Sequence, residues 1–323
     1  MPRYIYFIIL IALVGCYTHE GRVPTELTLM SFNAWGGGNN GNAIDQTVAV
    51  IRYVDPDILS LQEVRREAAV CEPESCPPTG PSIAPEIAER LGYQLHEQKK
   101  ENGALWANAI LSKHPIIRVS ENDLGAVIDV GGREVGVLNI HLTDYPYQPY
   151  QLLGISYGDA TALQTESEAI AAAERARGDA IDLVLSELSS LRDVDAAFVM
   201  GDFNEPSHRD WSELAAAAGR HPLRVRFPGV AAFEAVGFVD TYRAVHSDEI
   251  AKPGYTWTPL TTADDANDHH DRIDFILVRG ADISIDSANV VGENAIAAEI
   301  VVSPWPSDHR AVVADVTIGG GKR

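Results

Sequence analysis

Short apolar runs separated by polar and turn-forming residues recur along the whole chain. Runs rich in β-branched and aromatic residues predict strands, at 27–32, 58–62, 93–97, 107–111, 116–119, 134–142, 196–200, 255–258, 273–278 and 311–317. Apolar residues at helical spacing predict helices, at 43–53, 83–91, 166–191 and 210–218. Strands outnumber helices and do not alternate regularly with them. The pattern therefore favours an α/β sandwich over a regular succession of βαβ units.

Polar side chains stand at or near the ends of several predicted strands. They are Asn33, Glu63, His141, Asp202, Asn204, Asp274, Asp308 and His309. A buried charge is costly unless it is paired or bound to a metal, so we expect these side chains to converge on one site. Asp274 lies inside the apolar run RIDFILV and needs a partner, for which His309, Arg272 and a backbone amide are the candidates.

The stretch FVMGDFNEPSHRDW at 198–211 shows how one strand can supply two site residues. In extended backbone Asp202 and Asn204 point to the same side and Phe203 to the opposite side. The alternative is that Asp and Asn only form a turn after the strand, where both are favoured. We expect Pro206, Ser207 and Asp210 to start the next helix.

Composition limits the classes of protein. The chain has 323 residues, with 46% hydrophobic and 22% charged residues, which is typical of a globular protein. Its net charge of −21 argues against a general attraction to nucleic acid or anionic membranes, although a local basic cleft or a bound cation remains open. No repeat or P-loop pattern occurs, and we predict one domain over 27–318.

The N-terminus has the features of an export signal. A short basic start precedes the apolar run YIYFIILIALV, which is too short for a comfortable transmembrane span. The run ends in LVGC, which resembles a bacterial lipobox. That resemblance implies a signal peptide at 1–15, lipidation of Cys16 and a tether at 16–26, and hence a membrane-anchored protein of the bacterial cell envelope that faces the periplasm or exterior. The alternative is an ordinary signal peptide with an incidental cysteine.

The remaining cysteines, Cys71 and Cys76, form an even pair in a chain expected to be exported. We interpret them as a small loop-closing disulfide. The alternative is a pair of reduced thiols.

Six short motifs occur in order along the chain: SFN at 31–33, LQEV at 61–64, NIHL at 139–142, GDFN at 201–204, RIDFIL at 272–277 and SDHR at 307–310. Together they resemble the endonuclease/exonuclease/phosphatase superfamily, whose members act on nucleic acids, lipids and small phosphates. The resemblance implies a four-layer α/β sandwich, in which two mixed β-sheets pack face to face and are flanked by helices. It also implies divalent-metal-dependent hydrolysis of a phosphate ester by in-line attack of water.

The resemblance further implies a role for each motif residue. Asn33, Glu63 and Asp308 would hold Mg²⁺, with Mn²⁺ or another divalent cation as alternatives. Asp202 would orient or deprotonate the attacking water, and Asn204 would donate its amide to the phosphate. His141 would donate from the opposite side of the phosphate. His309 would contact the phosphate or act as the base, and Asp274 would fix its tautomer; whether Asp202 or His309 takes the proton stays open.

Candidates for substrate binding are Asn108, Tyr145 and Trp257. Tyr145 belongs to the tyrosine-rich segment 143–159, which follows a predicted site strand and is expected to overhang the cleft or to pack on itself. The adjacent His269 and His270 are expected to lie in a solvated loop.

These patterns predict an exported phosphoesterase that acts on a small or lipid-derived monoester or diester. The alternatives are a secreted endonuclease or exonuclease acting on DNA or RNA, and a non-catalytic envelope binding protein. Expected partners are the phosphate ester and, through the lipid anchor, the membrane. Nucleic acid is a less favoured partner because the chain lacks basic runs, and we expect a monomer.

Overall fold

The computed structural model describes residues 23–38, 44–68 and 76–319. The predicted signal peptide, the predicted lipidation site Cys16 and the predicted disulfide partner Cys71 lie outside the described residues. Within these ranges the chain forms a mixed α/β structure with two large sheets. No helix of the described part is both long enough and apolar enough to cross a membrane.

Within the described residues, seven strands form the first sheet. In spatial order they are Ile300–Val301, Ile283–Gly292, Ala311–Ile318, Thr25–Asn33, Ile58–Gln62, Ala109–Ser112 and Gln94–Glu97. The central strand Thr25–Asn33 pairs antiparallel with Ala311–Ile318 and parallel with Ile58–Gln62. The parallel pair ends in register, with Asn33 opposite Gln62, so Glu63 follows immediately beside Asn33.

Six strands form the second sheet of the described chain. In spatial order they are Val239–Asp240, Asp274–Arg279, Ala196–Asp202, Arg133–His141, Gly125–Val130 and Ile116–Val119. Asp202 lies opposite Asp274 in the antiparallel pair and opposite His141 in the parallel pair. These three predicted site residues therefore lie side by side at the ends of three neighbouring strands. A small ladder joins Arg66–Glu67 to Pro78–Thr79.

The two sheets pack face to face through one apolar cluster that includes Leu29 and Ile58 from the first sheet and Phe198 and Ile276 from the second. Helices cover the outer faces. The helices are Trp35–Gly38, Ile44–Val54, Ala84–Leu91, Gln148–Leu153, Glu166–Glu187, Glu213–Ala217, Pro228–Ala235 and Thr241–Val245, with a 3-10 turn at Leu188–Leu191. The predicted four-layer sandwich is confirmed.

The helices contact the two sheets through their apolar faces. Val48 and Ile51 pack on the outer face of the first sheet. Ile181 and Val184 pack on the outer face of the second, together with Phe203. Phe203 thus points into the core, as the alternation around GDFN predicted.

A buried amide network joins the two sheets near the site. Asn139 is fully buried and donates its Nδ2 to Leu61 O and to Gln98 Oε1, both at 2.9 Å. Its Oδ1 accepts from Gln62 Nε2 at 2.7 Å. A buried polar group without partners is strongly disfavoured. This network therefore stabilises one relative position of the two sheets.

Several predicted elements were wrong. Residues 255–258 do not form a strand: Trp257 makes only isolated bridges, to Asp271 and His309. The GDFN motif does not lead directly into a helix either, because the next helix starts later, with Ser212 as its N-cap. Asp210 is instead buried beside Arg243, whose Nε lies 2.5 Å from its Oδ1.

Candidate active site

The structure brings the eight polar residues of the strand ends together at one end of the sandwich. The first sheet and its loops supply Asn33, Glu63, Asp308 and His309, and the second supplies His141, Asp202, Asn204 and Asp274. All eight are buried except Glu63, whose side chain is 13% exposed. The convergence expected from the sequence is therefore present.

Asp202 lies at the centre of the cluster and contacts residues from both sheets. Its Oδ2 accepts a hydrogen bond from Asn33 Nδ2 at 3.1 Å. The same oxygen lies 3.5 Å from His141 Nε2 and 3.7 Å from His309 Nε2. Its Oδ1 accepts from the backbone N–H of Asn204 at 2.8 Å. One carboxylate therefore faces two imidazoles, one on each side.

Asn204 has a left-handed backbone, with φ of 47°. Asn tolerates this region better than most residues. The turn lets its Nδ2 donate to Leu142 O at 2.9 Å and places it 3.2 Å from His141 Nε2. The amide is therefore held beside the imidazole at the mouth of the site.

His309 forms a buried dyad with Asp274, with Nδ1 and Oδ2 separated by 2.9 Å. Arg272 is not the partner of Asp274, because its guanidinium pairs with Asp210 and Asp240. Of the candidate side-chain partners of Asp274, the structure therefore shows His309. The carboxylate fixes the ring so that Nε2 faces Asp202 and the cleft.

Neighbouring carboxylates raise the pKa values of both imidazoles. Burial opposes protonation of His141, but Asp202 and Glu63 raise its pKa to about 9. Burial acts the same way on His309, and Asp274 and Asp202 still raise its pKa well above the usual value. In turn the two imidazolium groups outweigh burial and lower the pKa of Asp202. The shifts therefore favour an ionised Asp202 between two protonated imidazoles.

Glu63 and Asp308 have the properties of ligands for a divalent cation. Burial, together with the Asp308 charge, raises the pKa of Glu63 to about 7, and burial raises the pKa of Asp308 to about 6. Both values indicate negative charge that lacks a sufficient counter-charge. Oxygen ligands and excess negative charge fit a hard cation, so the residues present fit the divalent cation that the motif resemblance implies.

Asn33 contributes to this group as a donor in the described geometry. Its Nδ2 lies 2.8 Å from Glu63 Oε1, and its Oδ1 accepts from the backbone N–H of Trp35 at 3.1 Å. Direct metal ligation by Asn33 stays a prediction.

A cleft of about 760 Å³ opens over the cluster. Its aromatic lining consists of Trp35, Trp106, Tyr147, Tyr150, Tyr157 and Trp257. Its carboxylates are Glu63, Glu67, Asp144, Asp202 and Asp308. No Lys or Arg lines the cleft among the described residues. The cleft is therefore acidic and aromatic around its two histidines.

The predicted substrate residues differ in their positions. Trp257 lines the cleft and packs its ring against His309, with centroids 5.0 Å apart. Asn108 and Tyr145 do not line it. Asn108 accepts from the backbone N–H of Trp106 at 3.0 Å and so supports that loop, while Tyr145 packs on Tyr157. Their predicted contact with substrate remains untested.

Sequence reasoning missed several lining residues, among them Trp35, Glu67, Trp106 and Asp144. They lie on or beside loops, and no local pattern marks them. The only available signal was that 143–159 follows a site strand, which pointed to Asp144 indirectly. Cys76, which also lines the cleft, is disulfide-bonded.

The expectation of a solvated loop at His269 and His270 was wrong. His270 is only 7% exposed and its Nε2 lies 2.9 Å from Thr261 Oγ1. The His269 side chain is 15% exposed and faces His221. The loop folds back because its residues find buried polar partners.

Residues 30–309 match the Endonuclease/Exonuclease/phosphatase family. The chain belongs to this family and is a phosphoric ester hydrolase. Enzymes of the family use divalent metals, in agreement with the donor set of the site.

The chain is also similar to one protein in sequence and to two solved structures in fold. An uncharacterized protein of Caenorhabditis elegans, F14F9.5, is 27% identical over 333 residues, which cover 97% of this chain and 98% of the relative. A crystal structure of an endonuclease/exonuclease/phosphatase from Beutenbergia cavernae is 18% identical, with a TM-score of 0.52 over 91% of this chain and 72% of that one. D. rerio TDP2 complexed with single strand DNA product is 15% identical, with a TM-score of 0.50 over 90% and 99%. At these identities the two structures support the fold alone.

Proposed function

We propose that this chain is an exported, Mg²⁺-dependent phosphoesterase that hydrolyses small or lipid-derived phosphate esters with a neutral or cationic leaving group. The observation that carries the proposal is the lining of the cleft, which combines aromatic rings with carboxylates and has no Lys or Arg among the described residues. Sites for nucleic acid usually present basic side chains to the phosphates that flank the reacting one.

The wall of the cleft beyond the catalytic cluster supports the cationic leaving group. Glu67 and Asp144 lie close enough there for burial and the Asp144 charge to raise the pKa of Glu67. The rings of Trp106 and Tyr157 line the same cleft. An aromatic and acidic surround attracts a quaternary ammonium through cation–π and Coulomb interactions, whereas it repels a second phosphate.

The catalytic cluster divides into groups with distinct tasks. Glu63 and Asp308 would hold the cation, with Asn33 beside them. When bound, the cation neutralises phosphate oxygens and stabilises the leaving oxygen. His141 and His309 are protonated, so they donate hydrogen bonds to phosphate oxygens, and the Asn204 amide donates without adding charge.

Asp202 is the group best suited to take the proton of the attacking water. Its pKa is lowered by the neighbouring imidazoles, which favours the ionised form, whereas Asp274 and Asp202 raise the pKa of His309 and favour its protonated form. Asp274 then serves as a positioning residue, because it holds the His309 ring through Nδ1. We therefore propose Asp202, rather than His309, as the general base.

A substrate panel tests this proposal. The Mg²⁺-loaded chain is assayed in parallel on glycerophosphocholine, phosphatidylcholine vesicles, bis-p-nitrophenyl phosphate, single-stranded DNA and plasmid DNA, with Glu63→Gln as the inactive control. We expect the highest kcat/KM on a phosphocholine ester. Faster hydrolysis of DNA would support the nuclease alternative, which the fold shared with D. rerio TDP2 keeps in view. A folded, metal-loaded chain that hydrolyses none of them would support a binding protein.

Export and anchoring rest on the sequence at Cys16. Several acyl chains on this cysteine would hold the protein at the envelope, because one chain alone binds a bilayer only marginally. We expect Cys16→Ser to move the protein from the membrane fraction to the soluble fraction after expression in a bacterial host. Retention of the variant in membranes would contradict the anchor.

A further inference from the structure

A second cluster of metal-ligating side chains lies behind one wall of the cleft. His221 Nδ1 and His269 Nε2 are 3.1 Å apart, and His269 Nε2 is 3.9 Å from Asp271 Oδ1. The three ligand atoms all lie within 4.8 Å of one another. None of these residues belongs to the catalytic cluster.

The hydrogen bonding of His221 leaves one ring nitrogen available as a ligand. Its Nε2 lies 3.2 Å from the carbonyl oxygen of Asp210, which can only accept, so Nε2 carries the hydrogen. In the neutral ring Nδ1 then presents its lone pair towards His269. Metal-binding histidines commonly have this arrangement, with the other ring nitrogen donating to a backbone carbonyl. The ring is held in place by stacking on Trp211, with centroids 4.1 Å apart.

Asp271 supplies a buried carboxylate beside the two imidazoles. It is 1% exposed, and its two oxygens accept from neutral donors, Trp211 Nε1 at 2.8 Å and Tyr147 Oη at 2.7 Å. Among the described residues, no Lys or Arg forms an ion pair with it. A buried carboxylate of this kind needs a cation. Its ionic contact in the described chain is with His269, 3.9 Å away, and a metal cation bound by both side chains would bring positive charge closer to the carboxylate.

The geometry points to a site for a transition-metal cation of the Zn²⁺ type, bound by His221 Nδ1, His269 Nε2 and Asp271. In a tetrahedral zinc site with Zn–N bonds of about 2.0–2.1 Å, two ligand nitrogens stand about 3.3 Å apart, close to the distance between the two imidazoles. Imidazole nitrogen favours zinc-like cations over Mg²⁺, whose ligands are oxygens. The fourth position is left for water.

The cation has a structural consequence for the cleft. It joins the segment after the helix Glu213–Ala217 to the loop that precedes the strand Asp274–Arg279. Asp271 also holds the hydroxyl of Tyr147, whose ring lines the cleft. Zinc at this point therefore fixes the aromatic wall from behind. The His269 side chain, which is 15% exposed, provides a route for the cation to enter.

Metal content measured on variants tests the site. The full chain is stripped with a chelator, dialysed against Zn²⁺ with excess Mg²⁺ to occupy the oxygen site, and analysed by plasma mass spectrometry. We expect about one zinc per chain in the wild type and in Glu63→Gln, and less than about one-tenth in His221→Ala and in His269→Ala. His246→Ala is the matched control, because its ring nitrogen also contacts a backbone carbonyl, at Ala288 O, and it should retain zinc.

Two results would overturn the site. One is equal zinc content in the wild type and the His221 and His269 variants. The other is loss of zinc in Glu63→Gln together with its retention in His221→Ala, which would place the metal at the catalytic cluster. Co²⁺ titration of the wild type guards against misfolded variants: a four-coordinate site gives intense visible absorption, and its absence would equally contradict the proposal.

Discussion

At the scale of single residues, the ionised Asp202 between two protonated imidazoles is the central electrostatic feature of the site. The order of pKa values allows a carboxylate to accept a proton while two cations bind phosphate, and this requires all three groups to be buried together. Protonated histidines are useful here because they neutralise phosphate charge only where the strand ends converge, while the rest of the cleft stays acidic.

Loss of a phosphate-binding imidazole or of a predicted metal ligand should abolish most activity. We expect His309→Ala and Glu63→Gln each to lower kcat by about 10²- to 10⁴-fold, since each removes one catalytic group or ligand. Circular dichroism should show an unchanged fold. His246→Ala is the control, because that ring lies against Tyr242 and outside the cleft. Activity within tenfold of wild type in either variant would show that its assigned role is wrong.

Metal binding should depend on pH because Glu63 and Asp308 have raised pKa values of about 7 and about 6. Below these values the folded, metal-free carboxyls hold protons that a cation must displace, so affinity falls as pH falls. We expect Mg²⁺ binding to weaken between about pH 8 and about pH 5.5 and to release protons near pH 6.5. Calorimetry in buffers of different ionisation enthalpy measures both effects. Proton release that is the same in Glu63→Gln would refute this origin.

At the scale of elements, a buried ion network holds the strand that carries Asp274. Arg272 lies 2.8 Å from Asp210 and 2.7 Å from Asp240, and Arg243 also binds Asp210. Asp240 in addition caps the helix Thr241–Val245 through backbone N–H groups. The network thus joins the segment after GDFN, one edge strand and the RID motif.

Removing the central cation of this network should be costly. We expect Arg272→Met to lower the free energy of unfolding by about 3–5 kcal/mol, because it leaves a buried carboxylate without its partner. Arg118→Met is the matched control: its contact with Glu134 spans 3.7 Å between exposed side chains, and such pairs contribute about 0–1 kcal/mol. Urea denaturation compares the two. Equal losses would mean that burial of the network does not determine its contribution.

Elements that carry both an apolar run and a local motif were predictable, because their signal lies within a few residues. The strands ending at Asn33, His141 and Asp202 are of this kind. The strand Ile283–Gly292 was missed because its exposed half is polar and it is held by pairing with Ala311–Ile318. Pairing of this kind is tertiary context, which strand propensity does not encode.

The residues of the candidate site also differ in whether the sequence predicts them. The catalytic cluster was predictable because its residues lie at or beside the ends of apolar strands. The contact of His221 with His269 was not, since the two are 48 residues apart and meet only through folding. Trp106 enters the cleft from a loop held by Asn108, and no periodicity marks it.

At the scale of the whole molecule, the net charge of −21 and the acidic cleft act together on substrate association. An anionic ester approaches against a repulsive field that extends about 30 Å at 0.01 M salt and about 10 Å at 0.1 M. A zwitterionic phosphocholine ester has no net charge and meets little of that barrier. Under the proposed function, this field would disfavour polyanions before any contact is made.

Salt should accordingly affect the two substrate types differently. At saturating Mg²⁺, raising ionic strength from about 0.01 M to about 0.1 M should increase kcat/KM for bis-p-nitrophenyl phosphate several-fold, because screening weakens the repulsion. The value for glycerophosphocholine should stay nearly constant, which controls for effects of salt on the enzyme itself. A nucleic-acid cleft behaves in the opposite way, since binding there weakens as counterions accumulate. A fall in kcat/KM with salt for the anionic ester would mean that a basic surface guides substrate to the site, and the acidic cleft would then not determine specificity.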